Sequence, residues 1–232
     1  MKIIGHRGAA GLATENTAAS FQKALDARVD AIELDVRKTK DNHLVVFHDS
    51  DTKRLRDTNL SIAKSTLKQL QKVRLTNGER IITLKEVFAL TGDTHLIIEL
   101  KSRDSAKLLV KLLSSTDLTP PITIASFRHD ELRIIREALP NMPFYVVEHH
   151  KPFEIVASAS KMRATGIGLN AWLLNPLTYW LCRRGKLDLY VYTVNSVFIA
   201  AFLNRLYPLA MICTDRPDRF NKHRKLLRKI TA

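Results

Sequence analysis

Nine short apolar runs recur along this chain with helical patterns between them. They are Ile3 to His6, Ala31 to Val36, Leu44 to His48, Leu96 to Lys101, Ile122 to Ser126, Phe144 to Glu148, Gly166 to Asn170, Leu189 to Val194 and Ala210 to Thr214. Short runs bounded by turn residues read as buried strands, and strands alternating with helices read as βαβ units around a parallel sheet. One pair breaks the alternation: only Arg37 to His43 separates the second run from the third. A parallel crossover needs a dozen or more residues, so Leu44 to His48 is expected to fold back antiparallel, as the return arm of a hairpin leaving the main sheet. Eight strands remain, each followed by a helix or helical excursion, and that is the count of an α/β fold of the (β/α)8 TIM-barrel type.

Helix signals between the runs are specific in places. Thr83-Leu84-Lys85-Glu86 is a capping box, in which hydroxyl and carboxylate satisfy two free N–H groups. Asn175-Pro176 supplies an N-cap and a first-turn proline, and Gly185 closes that helix after Arg183-Arg184. The segment 38–80 is the exception to the regular pattern. It carries the hairpin, a polar stretch and a short helix near Thr66 to Gln71, and it reads as too long for a plain loop and too short for a core of its own. At the catalytic face such an insertion would act as a lid. No linker, low-complexity tract or internal repeat divides the chain, so 1–232 is expected to form one domain.

Composition narrows the partners. Lys and Arg number 37 against 23 Asp and Glu, a formal charge of +14, which favours anionic partners of some kind. The two cysteines, Cys182 and Cys213, lie far apart, which excludes a disulfide scaffold and a thiolate zinc site and points to a reducing compartment. The longest apolar run, Val197 to Leu203, is far short of the ~20 residues of a membrane-spanning helix. Polar His6-Arg7 follows the first residues at once, so no signal peptide is read and a cytoplasmic location is expected.

Side chains alternate faces along a strand, so Glu33 and Asp35 point together, away from Ile32, Leu34 and Val36. Glu99 and Lys101 share a face in the fourth run, and the first run ends in His6-Arg7. Charged residues at strand C-termini are where barrel enzymes place catalysis. Three carboxylates converging there would repel, at on the order of 4 kcal/mol per pair for ~4 Å and an effective dielectric near 20. Either their pKa values rise, or a cation neutralises them, and an all-oxygen set suits Mg2+ or Ca2+ better than zinc. The alternative is pairing of the acids with Arg7 and Lys101, or an edge position facing solvent. His6 and His48 are candidate general acid and base, because imidazole titrates closest to neutrality. Arg7 and Lys101 are candidates for holding a phosphate.

Taken together these residues resemble the glycerophosphodiester phosphodiesterase family. The matching segments run in order: His6-Arg7-Gly8, Glu15-Asn16-Thr17, Glu33-Leu34-Asp35-Val36, Thr39-Lys40-Asp41, Val45-Val46-Phe47-His48-Asp49, Ile98-Glu99-Leu100-Lys101, Ser126-Phe127, Thr193-Val194-Asn195 and Thr214-Asp215-Arg216-Pro217-Asp218. The resemblance implies a barrel hydrolase that cleaves glycerophosphodiesters to sn-glycerol 3-phosphate and an alcohol. It implies that Glu33, Asp35 and Glu99 bind one divalent metal, that His6 and His48 act as acid and base, and that Arg7 and Lys101 contact the phosphate. Ala9 and Thr14 depart from the usual Gly and Pro of the family. Tyr192 stands where the family usually has Trp, which bears on the pocket for the glycerol or the head group.

Two other readings are weighed. A lysophospholipase D-like activity on the same catalytic plan would need an apolar channel and a membrane surface. Leu226, Leu227 and Ile230 fall at helical spacing among Lys222, Arg224, Lys225, Arg228 and Lys229, as a membrane-surface helix would have them. The preferred reading of that stretch is a last barrel helix with a solvated basic face. A non-catalytic basic binding protein is disfavoured, because no nucleic-acid-binding signature is visible and an acidic mouth would repel a phosphate backbone.

Overall fold

In a computed structural model, residues 1–56, 59–116, 120–148 and 152–221 are described. The strands are β1 (Ile3–Gly5), β2 (Ala31–Lys38), β3 (Leu44–Val46), β4 (Leu96–Leu100), β5 (Ile122–Ser126), β6 (Phe144–Glu148), β7 (Gly166–Asn170), β8 (Asp188–Tyr192) and β9 (Met211–Thr214). The helices are α1 (Ala18–Asp26), α2 (Leu67–Gln71), α3 (Leu84–Thr91), α4 (Ser105–Ser114), α5 (His129–Ala138), α6 (Glu154–Met162), α7 (Pro176–Arg184), α8 (Val197–Leu206) and the short α9 (Asp218–Asn221). The sheet runs β1-β9-β8-β7-β6-β5-β4-β2, and β1 also pairs in parallel with β2, which closes a ring of eight parallel strands. This is the TIM barrel that the strand count predicted. β3 pairs antiparallel with the end of β2, Val36 opposite Val46, as the short connection required.

Strand alternation sorts the core into two layers. Ile32, Leu34, Val36, Ile98, Ile124 and Ile167 face outward, into the large cluster shared with the helices. Ile4, Ala31, Ile97, Ala125, Val147 and Cys213 face inward around Tyr145 and Tyr190. Two glycines in β7 make room for those rings. A Cβ on Gly168 would run into the Tyr190 ring, and one on Gly166 would lie 2.7 Å from Tyr145.

The capping boxes form as side chain and backbone demand. Thr83 accepts from the Glu86 N–H while Glu86 accepts from the Thr83 N–H, and Thr66 and Gln69 do the same for α2. At the end of α7, Gly185 is right-handed (φ −79°) and Lys186 takes the left-handed position instead (φ 52°). β8 begins and ends earlier than the apolar run suggested, because Asp188 pairs with Gly166 and the chain leaves the sheet after Tyr192.

The insertion between β2 and α3 corrects one expectation. It has a small core of its own: Val45, Phe47, Ile62, Leu70, Val73, Leu75 and Ile81 are all buried together, apart from the barrel clusters. Short as it is, the segment supplies seven large apolar side chains and anchors them on β3, which is tied both to β2 and, through Val45, to Thr83. The basic stretch beyond Asn221, with Leu226, Leu227 and Ile230, lies outside the described residues. Among the described residues no helix is long and apolar enough to cross a membrane.

Candidate active site

The first strand ends in a tight left-handed turn that shapes the site. Arg7 (φ 49°) and Gly8 (φ 85°) both take the left-handed region, and Asn16 (φ 58°) does so at the far end of the same loop. A side chain at Gly8 would press to 2.7 Å on the Ser20 backbone, so only glycine fits. Non-glycine residues hold such angles where surrounding contacts over-determine them. Here the Arg7 N–H donates to Glu33 Oε2 at 3.0 Å, and Asn16 Nδ2 donates to Asp35 Oδ2 at 2.9 Å.

Glu33, Asp35 and Glu99 are buried, and each brings an oxygen within 4.8 Å of the other two. Asp35 and Glu99 are register partners across β2 and β4, which brings them together without any loop. Burial, followed by the charge of Asp35, pushes the Glu33 carboxyl up to about 8 and the Glu99 carboxyl up to about 7. Burial acts on Asp35 in the same sense, but Lys101 and Arg7 outweigh it and hold that carboxyl below its usual range. Lys101 Nζ sits 2.7 Å from Glu99 Oε1 and 3.6 Å from Asp35, with the Phe127 ring beneath it at 5.5 Å. Arg7 Nε lies 3.3 Å from Asp35 Oδ2, and its NH1 donates to Glu15 at 2.8 Å.

The two imidazoles flank this cluster, and each is held at Nδ1 by a carboxylate. His6 Nδ1 donates to Asp215 Oδ1 at 2.6 Å and His48 Nδ1 to Asp49 Oδ1 at 2.7 Å, which leaves Nε2 of each for the site. His6 Nε2 is 4.0 Å from Glu33 Oε2. Burial lowers both imidazoles. At His6, the Asp215 bond and the Glu33 charge outweigh it and the net shift is upward. At His48 the depression stands, with Arg7 and Lys101 opposing protonation. Asn195 Nδ2 donates to Asp215 Oδ2 at 2.7 Å, so the carboxylate that holds His6 is itself held.

Every residue named from the sequence as a candidate therefore lies at one end of the barrel: His6, Arg7, Glu33, Asp35, His48, Glu99, Lys101 and Tyr192 all line one cavity of about 100 Å³. Tyr192 stands at its wall beside Tyr190, its hydroxyl donating to the Glu148 carbonyl at 3.2 Å. A roomier hollow of about 560 Å³ at the C-terminal ends of α4 and α5 has no titratable side chain among the described residues of its lining. Sequence reasoning assigned no task to Asp215, Asn195, Asn16, Glu15, Asp49 or Arg54. The first five stand inside the ordered motifs, which was the available signal, whereas Arg54 belongs to none.

The donor set fits a divalent cation. Three buried carboxylates of like charge, two of them raised, are what a hard ion with oxygen ligands would relieve, and among the described residues no other such group of three occurs. The three carboxylates could hold one hard divalent cation between them.

Comparison with known proteins agrees with this geometry. Residues 6–219 match the Glycerophosphoryl diester phosphodiesterase family. A glycerophosphodiester phosphodiesterase of Caldanaerobacter subterraneus is 29% identical over 207 residues, covering 83% of this chain and 85% of that protein. YhdW of Bacillus subtilis is 32% identical over 235 residues, covering 94% and 96%. The structure of an Oleispira antarctica phosphodiesterase, solved with its product sn-glycerol-3-phosphate, superposes with a TM-score of 0.90 at 21% identity, covering 97% of each chain, and has the same barrel fold. With its barrel, its ordered motifs and relatives matched over most of their length, the chain belongs to the glycerophosphoryl diester phosphodiesterase family.

Proposed function

We propose that this protein hydrolyses glycerophosphodiesters to sn-glycerol 3-phosphate and an alcohol, using one divalent cation and the His6 and His48 pair. The observation that carries the reading is the placement of two carboxylate-held imidazoles beside three buried carboxylates and two cationic side chains. Glu33, Asp35 and Glu99 would hold the metal, which supplies Lewis-acid polarisation of a phosphoryl oxygen when bound. Arg7 and Lys101 are placed to hold the other oxygens, Arg7 through its guanidinium and Lys101 as a point charge. His48, whose neutral form is favoured, takes the proton of the attacking hydroxyl at Nε2 as a new P–O bond forms. His6, whose protonated form is favoured, gives its Nε2 proton to the departing alkoxide as the old P–O bond breaks. Tyr192 lines the space for the glycerol or the head group. The whole chain is read as one domain. Both cysteines are buried free thiols, which supports a reducing, cytoplasmic setting.

A coupled assay for released sn-glycerol 3-phosphate tests this, run on several head groups with Mg2+, Ca2+ or EDTA. Activity is expected to vanish with EDTA and to fall by about 10²–10⁴-fold in His6→Ala and in His48→Ala. EDTA-insensitive turnover, or a near-normal rate in either variant, would overturn the reading.

A further inference from the structure

The helices α7 and α8 turn apolar and aromatic side chains out of the barrel. α8 turns Phe198, Phe202 and Leu206 outward at spacings of four, with Phe198 82% exposed, while Ala200 and Leu203 on its other side are buried. The neighbouring α7 adds Leu177 and Trp180, each about half exposed, and the short helix before it adds Trp172, 84% exposed. Tyr179 of α7 and Tyr207, which follows α8, bring their rings to 5.1 Å. Both tryptophans of the chain are thus exposed on α7 or on the short helix before it. Neither helix contains an Asp or Glu, and both carry arginines: Arg183 and Arg184 on α7, Arg205 on α8. Arg184 lies over the Trp180 ring at 5.4 Å.

Exposed apolar area of this kind marks a docking surface, and its charge identifies the occupant. Three arginines and no carboxylate on the two helices make an anionic occupant the complementary one. An anionic lipid surface satisfies both parts, taking Trp and Phe rings at head-group depth while the arginines reach phosphate. The chain's +14 charge attracts it over longer range. Trp172 follows β7 and Phe198 opens the helix after β8, so this face reaches the strand ends that carry the catalytic cluster.

We propose that the α7–α8 face docks this protein on an anionic lipid surface, with the mouth of the barrel beside the head groups. The proposal does not rest on the hydrolytic reading, since binding is measured without turnover. The full chain is sedimented at low salt with vesicles of phosphatidylcholine alone or with added phosphatidylglycerol, and tryptophan emission is followed in parallel. Binding to the anionic vesicles is expected, weakened by salt and accompanied by a blue shift. Phe198→Ser/Phe202→Ser is expected to weaken the partitioning at least about tenfold while melting temperature and turnover of a soluble diester stay unchanged. No binding to anionic vesicles, undiminished binding by the double variant, or a dimer of the parent chain that the double variant dissolves would each overturn it.

Discussion

Arg54 is the residue through which the insertion reaches both halves of the catalytic cluster. Its Nε donates to Asp49 Oδ2 at 2.6 Å, behind His48, and its two terminal nitrogens fork onto Glu15 at 2.6 and 2.9 Å, behind Arg7. One guanidinium thus sets the position of the His48 imidazole, through Asp49, and of Arg7, through Glu15. Arg54→Ala is expected to lower kcat by about 10–100-fold, through misplacement of groups that must be aligned to within an ångström. Arg54→Lys, which keeps the charge and loses the fork, should recover only part of that. A change confined to KM in either variant would show that Arg54 attracts substrate and does not position the site. The residues behind the buried cluster explain what the sequence concealed. His6, Glu33, Asp35, Glu99 and Lys101 could be read because each sits in or beside a strand whose alternation says where it points. Arg54 lies in an irregular segment with no period, and nothing local says that it meets Glu15, 39 positions away.

The start of α3 is a measurable element. Thr83 and Glu86 cap it reciprocally, and Arg80 adds a 2.6 Å bond to the Glu86 carboxylate. Burial pushes the Glu86 carboxyl up, but the Thr83 N–H and Arg80 outweigh it, and the folded value lies below the ordinary 4.5. The stabilisation is therefore complete above pH 4.5 and lost as pH falls through the depressed folded value. Thr83→Ala should cost about 1 kcal/mol in urea unfolding at neutral pH, and Glu86→Ala should make the loss of stability on the acid side shallower. Strand β7 gives a second test. Gly168→Ala places a methyl group against the Tyr190 ring and should destabilise the barrel by about 1–3 kcal/mol, the range for overpacking a filled core. α3 could be read from its own residues, because a capping box is a local device. The need for glycine at 168 could not, since the ring that fills its place comes from the next strand.

At the scale of the whole molecule, ring closure makes the site and leaves its charge unresolved. Three carboxylates from two strands are buried together, and burial, followed by the charge of Asp35, raises Glu33 and Glu99. An ion that binds the folded chain there and not the unfolded chain should raise the melting temperature with its concentration. Mg2+ or Ca2+ is expected to stabilise the protein and EDTA to lower its melting temperature, as followed by calorimetry. In Glu33→Gln/Glu99→Gln, where two of the three ligands are neutral, the dependence on added metal should disappear.

The sequence by itself determined the number and order of the strands, the antiparallel return of β3, the capped ends of α3 and α7, and the kind of chemistry at the strand ends. All of these follow from period, loop length and residue type, which are local. Only the tertiary structure decided which residues meet. His6 and Asp215 are 209 positions apart and become hydrogen-bonded because β1 closes the ring against β9. It also decided which side of an apolar helix is covered. From Val197 to Leu203 nothing in the pattern marks Phe198 and Phe202 for solvent, because coverage depends on what packs against α8 and not on the composition of the helix.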